Sequence, residues 1–112
     1  MISKDESVSD SYCDEVLSGQ TPVERVAETD RTLAFRHTRP YWPVHLVVIP
    51  KHHVASLLEC DDTLLLELMH SVKELARQVV ETEGACRVAT NLGGYQESKH
   101  LHWHVGAGER LR

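Results

Sequence analysis

Short runs of apolar and β-branched residues in the first half of the chain predict three β-strands. The segments 23–28 and 32–37 have the composition of strands, and residues 29–31 between them predict a hairpin turn. The run "VHLVVIP", from Val44 to Pro50, is mostly apolar, and its proline ends the strand. The two prolines of "RPYWP", residues 39–43, predict a loop between the second and third strands.

Between residues 61 and 83 the apolar positions change to a helical period. They recur at i, i+3, i+4 and i+7, which is the spacing of an amphipathic helix. These apolar positions are Leu65, Leu68, Met69, Val72, Leu75, Ala76, Val79 and Val80. Asp61, Asp62 or Thr63 can cap the first turn, and Gly84 can end the helix. The pattern therefore predicts one long helix.

Two further strands are predicted after the helix. The first is "CRVATN", residues 86–91, and a glycine-containing loop, "LGGYQES", follows it. The second is "KHLHWHVG", residues 99–106, in which polar and apolar residues alternate. The order of strands, one long helix and strands predicts an α+β domain with a mainly antiparallel five-stranded sheet.

The start of the chain has a different character. Residues 1–11 are rich in Ser, Asp, Glu and Lys, which predicts a mobile tail, and residues 12–112 form the predicted domain. Residues 12–19 predict a short amphipathic turn of helix that ends at Gly19. The tail lacks the apolar stretch of a signal peptide, and no apolar run approaches the roughly 18 residues of a membrane span. The sequence therefore predicts a cytoplasmic protein without a membrane partner.

Composition narrows the classes of function. With 112 residues, 41% of them hydrophobic, the chain is long enough for one domain with its own core. Its net charge of −5 argues against a nucleic-acid polymer as partner, because that affinity depends on Lys and Arg contacts to phosphates. A small anionic ligand remains possible, since a few local donors can hold it. Cys13, Cys60 and Cys86 show no paired spacing, which fits a reducing compartment.

Three of the eight histidines, His100, His102 and His104, alternate with apolar residues. Side chains on a strand alternate between its faces, so the three imidazoles are predicted to share one face. An ordinary polar surface explains one such histidine more readily than three. A metal site is a second interpretation, although residues i and i+4 lie about 13 Å apart on a straight strand, too far to share one ion.

Phosphate chemistry is the third interpretation of the same residues. Imidazole can attack phosphorus as a nucleophile near neutral pH, and a neighbouring imidazole can donate hydrogen bonds to the phosphate oxygens. Histidines two residues apart on a strand suit this division of roles, and such a site needs no metal ion.

The segment 100–105 resembles the signature of the histidine triad (HIT) family of nucleotide hydrolases and transferases, with Gly106 where a second apolar residue is usual. The segment 21–53 resembles the first half of that family, including its pattern Pro-x-His, three apolar residues and Ile-Pro-Lys. "GGYQESKH" resembles the loop before the triad. The likeness covers about residues 12–110 and suggests a HIT-like fold in the nucleoside phosphoramidase-like branch.

The resemblance implies a role for four histidines. His102 matches the nucleophile that attacks the α-phosphorus and forms a nucleotidyl-histidine, oriented by a backbone carbonyl near the first triad position. His100 matches that first position and supports the site. His104 matches a donor to the phosphate oxygens, and His45 matches a fourth histidine of the phosphate-binding cluster.

Five further residues are predicted to lie at the nucleotide. Asn91 and Gln96 match positions that contact the ribose or phosphate region in similar proteins. His37 stands where many relatives have an aspartate that binds the ribose hydroxyls. Glu97 stands where phosphoramidases often have Ser or Thr near the leaving group, and Ser98 follows it.

The predicted function is metal-independent hydrolysis or transfer of a nucleoside monophosphate from a phosphoramidate, an adenylylated species or a dinucleoside polyphosphate. The resemblance implies an AMP-like ligand, no cofactor, no metal ion and a homodimer whose sheet continues across the twofold axis. A nucleotide-binding module with little turnover and a metal-binding protein are the alternatives. Trp42, in the proline loop, can stack on a base or pack within the protein.

Overall fold

Five antiparallel strands and one long helix form the fold in the computed structural model, which describes residues 16–19 and 22–112. The elements are β1 (Arg25–Glu28), β2 (Thr32–Arg36), β3 (Val44–Pro50), α1 (Asp62–Glu83), β4 (Arg87–Ala89) and β5 (Trp103–Ala107). The strand order is β1-β2-β3-β5-β4, and each neighbouring pair is antiparallel. The predicted α+β class, with its five-stranded sheet and long helix, is confirmed.

Local signals place both ends of α1 where the sequence predicts them. The Asp61 side chain accepts a hydrogen bond from the Leu64 N–H at 2.9 Å, and Gly84 ends the helix with φ 84°. The buried residues of the helix are Leu64, Leu68, Val72, Leu75 and Val79. Val80, predicted in the apolar stripe, is 47% exposed. The helix buries a stripe narrower than the sequence pattern because it packs against the sheet along one line of side chains.

β3 is covered on both of its faces, which explains its almost continuous apolar run. On one face its residues pack with α1 in the main core. On the other face Val47 and Ile49 pack with Phe35 and Val16 in a second core. His45 is the polar residue buried within this strand, and burial of a polar ring requires hydrogen-bond partners.

Four strands, β1, β2, β4 and β5, are shorter than the sequence predicts. β1 begins at residue 25 rather than 23, and β2 ends at residue 36 rather than 37. β4 covers three residues of the predicted segment 86–91. Because β4 lies at the edge of the sheet and pairs with β5 alone, its length is set by how far that single pairing extends.

The prediction of one strand through all three triad histidines is wrong in part. β5 begins at Trp103, so among them His104 alone lies on it. The ladder with β4 stops here because β4 ends at Ala89, which is opposite His104. Upstream, the N–H of Leu101 donates to the Val54 carbonyl at 2.6 Å, a contact with the segment after β3. Tertiary contacts rather than the sheet therefore position the other two histidines.

The described part of the N-terminal region is short. Residues 16–18 are helical, and Gly19 follows with φ 86°, in agreement with the end of the predicted helical turn. The predicted tail, residues 1–11, and residues 12–15 lie outside the described residues. Within residues 16–19 and 22–112, no helix is both long and apolar enough to cross a bilayer.

Candidate active site

The sheet face opposite α1 carries a group of histidines. His45 on β3 and His104 on β5 project from the same face as Val47, and Nε2 of His45 lies 2.8 Å from Nδ1 of His104. The ring of His37 stacks on His45 with centroids 4.4 Å apart, and the ring of His102 lies 4.9 Å from that of His104. These four residues are called the histidine cluster below.

A main-chain donor fixes the ring protons of the buried pair. The Tyr41 N–H donates to Nδ1 of His45 at 3.0 Å, so neutral His45 carries its proton on Nε2. That N–H donates to Nδ1 of His104, and the proton of neutral His104 is consequently on its own Nε2. Two successive hydrogen bonds thus make His104 a hydrogen-bond donor through its second nitrogen.

His102 presents a lone pair instead of a donor. Its Nδ1 lies 2.8 Å from the carbonyl oxygen of His100. A carbonyl oxygen only accepts, so Nδ1 of His102 carries the proton and Nε2 keeps its lone pair. The hydroxyl of Thr90, a residue the sequence did not indicate, donates to the His102 carbonyl at 2.7 Å. This bond holds the main chain of His102 just beyond the end of the β4–β5 ladder.

Burial keeps the histidine cluster neutral. It lowers the pKa of His45 to about 3 and the pKa of His104 to about 4, and the neighbouring histidines add charge repulsion. The pKa of His37 falls to about 4 for the same reasons. Burial also lowers the pKa of His102. At neutral pH the lone pair on His102 is therefore available without loss of a proton.

Three of the predicted site residues contact the protein main chain. His100 is buried, and its Nε2 donates to the carbonyl of Pro50 at 2.9 Å. The Ser98 hydroxyl accepts a hydrogen bond from the N–H of His100 at 3.4 Å, and the Gln96 amide donates to the carbonyl of Ala55. The bonds of His100 and Gln96 tie the segment before β5 to the end of β3 and to the segment after it, whereas the bond of Ser98 lies within the segment before β5.

An open cleft of about 470 Å³ lies over His102 and His104. It is lined by Tyr41, Trp42, Ala89, Asn91, Tyr95, Glu97, His102, His104 and Arg110. The predicted residues Asn91 and Glu97 are therefore brought together with two triad histidines, and Trp42 borders the same space. The volume lies in the range of pockets that hold small-molecule ligands.

Sequence reasoning missed Tyr41, Tyr95 and Arg110 in the cleft. The Tyr41 hydroxyl donates to a carboxylate oxygen of Glu97 at 2.8 Å, and this bond raises the pKa of the tyrosine. The Arg110 guanidinium lies 5.7 Å from the centre of the Tyr41 ring. The aromatic pair in "RPYWP" is a sequence signal for Tyr41, whereas the chain gives no local pattern that marks Arg110.

Gly106, the departure from the triad signature, makes room for Trp42. It lies opposite His45 in the β3–β5 pairing, and a Cβ at this position would be 2.5 Å from the Val44 carbonyl oxygen and 2.7 Å from the Trp42 ring. With glycine here, the Trp42 ring packs 4.7 Å from the ring of His45. The Arg87 guanidinium lies 5.5 Å from the same tryptophan ring.

His37 offers a donor where a carboxylate would offer acceptors. Its Nδ1 accepts a hydrogen bond from the Arg39 N–H at 3.0 Å, so the neutral ring carries its proton on Nε2. The centre of its ring lies 6.2 Å from that of His104, but His37 is not among the residues that line the cleft. A group that hydrogen-bonds a sugar hydroxyl from this position would therefore do so as a donor.

A metal centre has less support than a phosphate site. In the described ranges, no group of three or more His, Cys, Asp or Glu side chains is arranged to hold a metal ion. Both ring nitrogens of His45 also take part in hydrogen bonds within the protein, to Tyr41 and to His104.

Comparison with known proteins assigns the chain to a family. The HIT domain family model matches residues 18–111. An uncharacterized HIT-like protein of Synechococcus elongatus is 39% identical over 107 residues, which cover 91% of this chain and 93% of that protein. A HIT-like protein of Azospirillum brasilense is 36% identical over 105 residues, which cover 86% of this chain and 84% of that protein.

Solved structures agree with this assignment. The crystal structure of a HIT family hydrolase from Legionella pneumophila has a TM-score of 0.76 at 31% identity, and the match covers 92% of this chain and 96% of that one. A histidine triad protein from Clostridium difficile has a TM-score of 0.74 at 32% identity, covering 92% and 93% of the two chains. A hypothetical histidine triad nucleotide-binding protein from Sulfolobus tokodaii has a TM-score of 0.79 at 26% identity, covering 88% and 68%. The fold is HIT-like, and the chain belongs to the HIT domain family.

Proposed function

We propose that this protein hydrolyses or transfers a nucleoside monophosphate by way of a covalent nucleotidyl-His102. The observation that carries the proposal is that two neighbouring imidazoles at the cleft differ at Nε2: His102 has a lone pair there and His104 has an N–H. His102 keeps a lone pair on Nε2 because the carbonyl of His100 takes its Nδ1 proton, and neighbouring His104 carries a donor. A nucleophile beside a donor is what substitution at phosphorus requires. The Legionella relative, described as a hydrolase, and the Sulfolobus relative, described as nucleotide-binding, support the same class.

The reaction divides into two displacements. Nε2 of His102 attacks the α-phosphorus, the bond from phosphorus to the leaving group breaks, and the leaving group departs with the electron pair and takes up a proton. The new imidazolium donates its Nδ1–H to the His100 carbonyl, which stabilises the positive charge. Water, or another acceptor, then attacks the same phosphorus, gives up a proton, and breaks the N–P bond. The nucleoside monophosphate or its new ester is released, and His102 is restored.

The other predicted residues receive distinct roles in this proposal. His104 donates to the phosphate oxygens, and His45 fixes the donor of His104 through their hydrogen bond. Asn91 and Glu97 line the cleft at the nucleotide and the leaving group. Three residues do not line the cleft and instead position the triad segment: His100, Ser98 and Gln96. His37 contributes a hydrogen-bond donor beside the phosphate site.

The proposed substrate classes are purine nucleoside phosphoramidates, adenylylated species and dinucleoside polyphosphates, each of which would release a nucleoside monophosphate. We also propose a homodimer that extends the sheet through β4. This strand lies at the edge of the sheet, all of its residues are exposed, and Val88 at its centre is 45% exposed. An exposed edge strand offers unpaired N–H and C=O groups that a second copy can complete around a twofold axis.

The test is AMP release from adenosine 5′-phosphoramidate, with a chelator present, by the wild-type protein and by His102→Ala. His70→Ala is the matched control, because His70 is exposed on α1, which packs on the other face of the sheet. The proposal predicts turnover by the wild type and the control and loss of turnover in His102→Ala. Acid quenching during turnover should also leave one nucleotidyl group on the wild-type protein, detectable by mass. Turnover that the chelator abolishes would contradict the metal-free mechanism.

A nucleotide-binding module with little turnover is the second candidate. The observation that favours it is the carboxylate of Glu97 in the cleft, since a negative charge near the phosphate opposes a second anion. AMP binding without AMP release from any of the three substrate classes would establish this candidate instead.

A further inference from the structure

The loop between β2 and β3 controls the histidine pair but needs support from elsewhere. It supplies the Tyr41 N–H that donates to His45, yet residues 38–43 contain neither helix nor strand. Pro40 and Pro43 in this loop have no N–H to donate. Residues outside the loop also contact Tyr41.

Residues 110–112, called the clasp below, make these contacts. The N–H of Leu111 donates to the Tyr41 carbonyl at 2.7 Å. The Arg112 guanidinium donates through Nη2 to the carbonyl of Arg39, also at 2.7 Å. Its Cζ atom lies 4.4 Å from the centre of the Tyr41 ring. The clasp thus holds both the main chain and the ring of Tyr41.

A guanidinium suits this position better than an ammonium group. Its planar fork donates hydrogen bonds within the plane while its face stacks on an aromatic ring, and Arg112 makes both kinds of contact at once. On the far side of the ring, the Tyr41 hydroxyl donates to Glu97. Tyr41 is consequently fixed at its N–H, its carbonyl, its ring and its hydroxyl.

We propose that the clasp is a positioning element of the candidate active site, which keeps the His104 donor on the nitrogen that faces away from His45. By holding Tyr41, the clasp keeps the Tyr41 N–H on Nδ1 of His45, and the His45–His104 bond passes this preference on. If Tyr41 moves away, the pair can exchange its proton arrangement, and Nε2 of His104 then presents a lone pair. The expectation that a bound phosphate would then lose a hydrogen-bond donor rests on the proposed function. The proton arrangement of the two histidines does not depend on it.

The first test reads the ring protons directly, by NMR of the imidazole nitrogens of the full chain at neutral pH without substrate. In the wild type, His45 and His104 should both be protonated on Nε2. Arg112→Ala should populate the other tautomer at both residues, and Arg112→Lys, which keeps a donor and the charge, should give a smaller change. Arg77→Ala is the matched control, since Arg77 is exposed on α1 and pairs with Glu74, and it should leave both tautomers unchanged.

A second variant tests the clasp without touching a charge. Leu111→Pro removes the N–H that donates to the Tyr41 carbonyl and should shift the tautomers in the same direction as Arg112→Ala. Thermal unfolding of each variant checks that it is folded. Unchanged tautomers in both folded variants would overturn the proposal.

Activity gives an independent readout once a substrate is in hand. Arg112→Ala should lower kcat/KM for adenosine 5′-phosphoramidate about fivefold to tenfold, the effect of weakening one hydrogen bond. The limb of the pH profile due to His102 should stay in place, because Nδ1 of His102 bonds to His100 and not to the clasp. A loss of activity with unchanged tautomers would overturn the proposed role of the clasp while leaving the proposed function intact. A tautomer shift in a protein that turns over no substrate would support the clasp and count against the proposed function.

Discussion

Gly106→Ala should destabilise the protein far more than the addition of one methyl group suggests. The new Cβ would lie 2.5 Å from the Val44 carbonyl oxygen and 2.7 Å from a carbon of the Trp42 ring, both well inside van der Waals contact. The carbonyl belongs to a main chain held by the β3–β5 ladder, so it cannot move away without disturbing that pairing. The Trp42 ring, in turn, packs against the ring of His45.

Overpacking a well-packed interior costs about 1–3 kcal/mol, and the backbone clash places this site near 3 kcal/mol. For a domain of this size, 1 kcal/mol corresponds to about 4–6 °C in Tm, so we expect Tm to fall by about 12–18 °C. Thermal unfolding by circular dichroism measures the change. Gly94→Ala is the matched control, because a Cβ there meets nothing within 4 Å. Unfolding of both variants within about 3 °C of each other would show that the space at Gly106 can hold a methyl group.

Two further predictions concern charge. The pKa values of His37, His45 and His104 are lowered to about 4, 3 and 4 from 6.5, so between pH 6.5 and about 4 the unfolded chain binds more protons than the folded one. Acidification through this window should therefore reduce the free energy of unfolding, and urea titrations at pH 7.5, 6.5 and 5.5 measure the decrease. A flat profile would contradict the buried neutral cluster. Glu97→Gln should raise kcat/KM about threefold to tenfold for a dinucleoside polyphosphate, whose leaving group is anionic, because it removes a nearby like charge. Turnover of adenosine 5′-phosphoramidate serves as the internal reference, and an equal change for both substrates would count against charge repulsion.

The predicted elements succeeded where the signal was local. The apolar run of β3, the helical period of α1 and the caps Asp61 and Gly84 depend on residues that are neighbours in the chain, and the structure has each of them. The predictions failed at strand ends. Whether a strand continues is decided by its partner. β4 stops opposite His104, and β5 begins at Trp103, although the alternation of polar and apolar residues in this segment extends back to His100.

The residues of the candidate site divide in the same way. The alternation of three histidines and the pattern around His45 were visible in the sequence, because each is a short motif. The distinction between Asn91, which lines the cleft, and Gln96, which bonds to Ala55, was not visible, because both are polar residues near the triad. Only the fold shows which side chain has a main-chain partner within reach.

Short-range sequence patterns are enough to predict the order of the elements, the apolar faces of β3 and α1, and the chemical groups available near residues 100–104. The tertiary fold set the position of the proton on His104, because that proton depends on His45, 59 positions away in the chain. The loop of Tyr41, which sets the position of the proton on His45, is held by Arg112, 71 positions away (112 minus 41). A hydrogen bond is formed by atoms within about 3 Å of each other, and sequence patterns do not record which distant residues meet at that range.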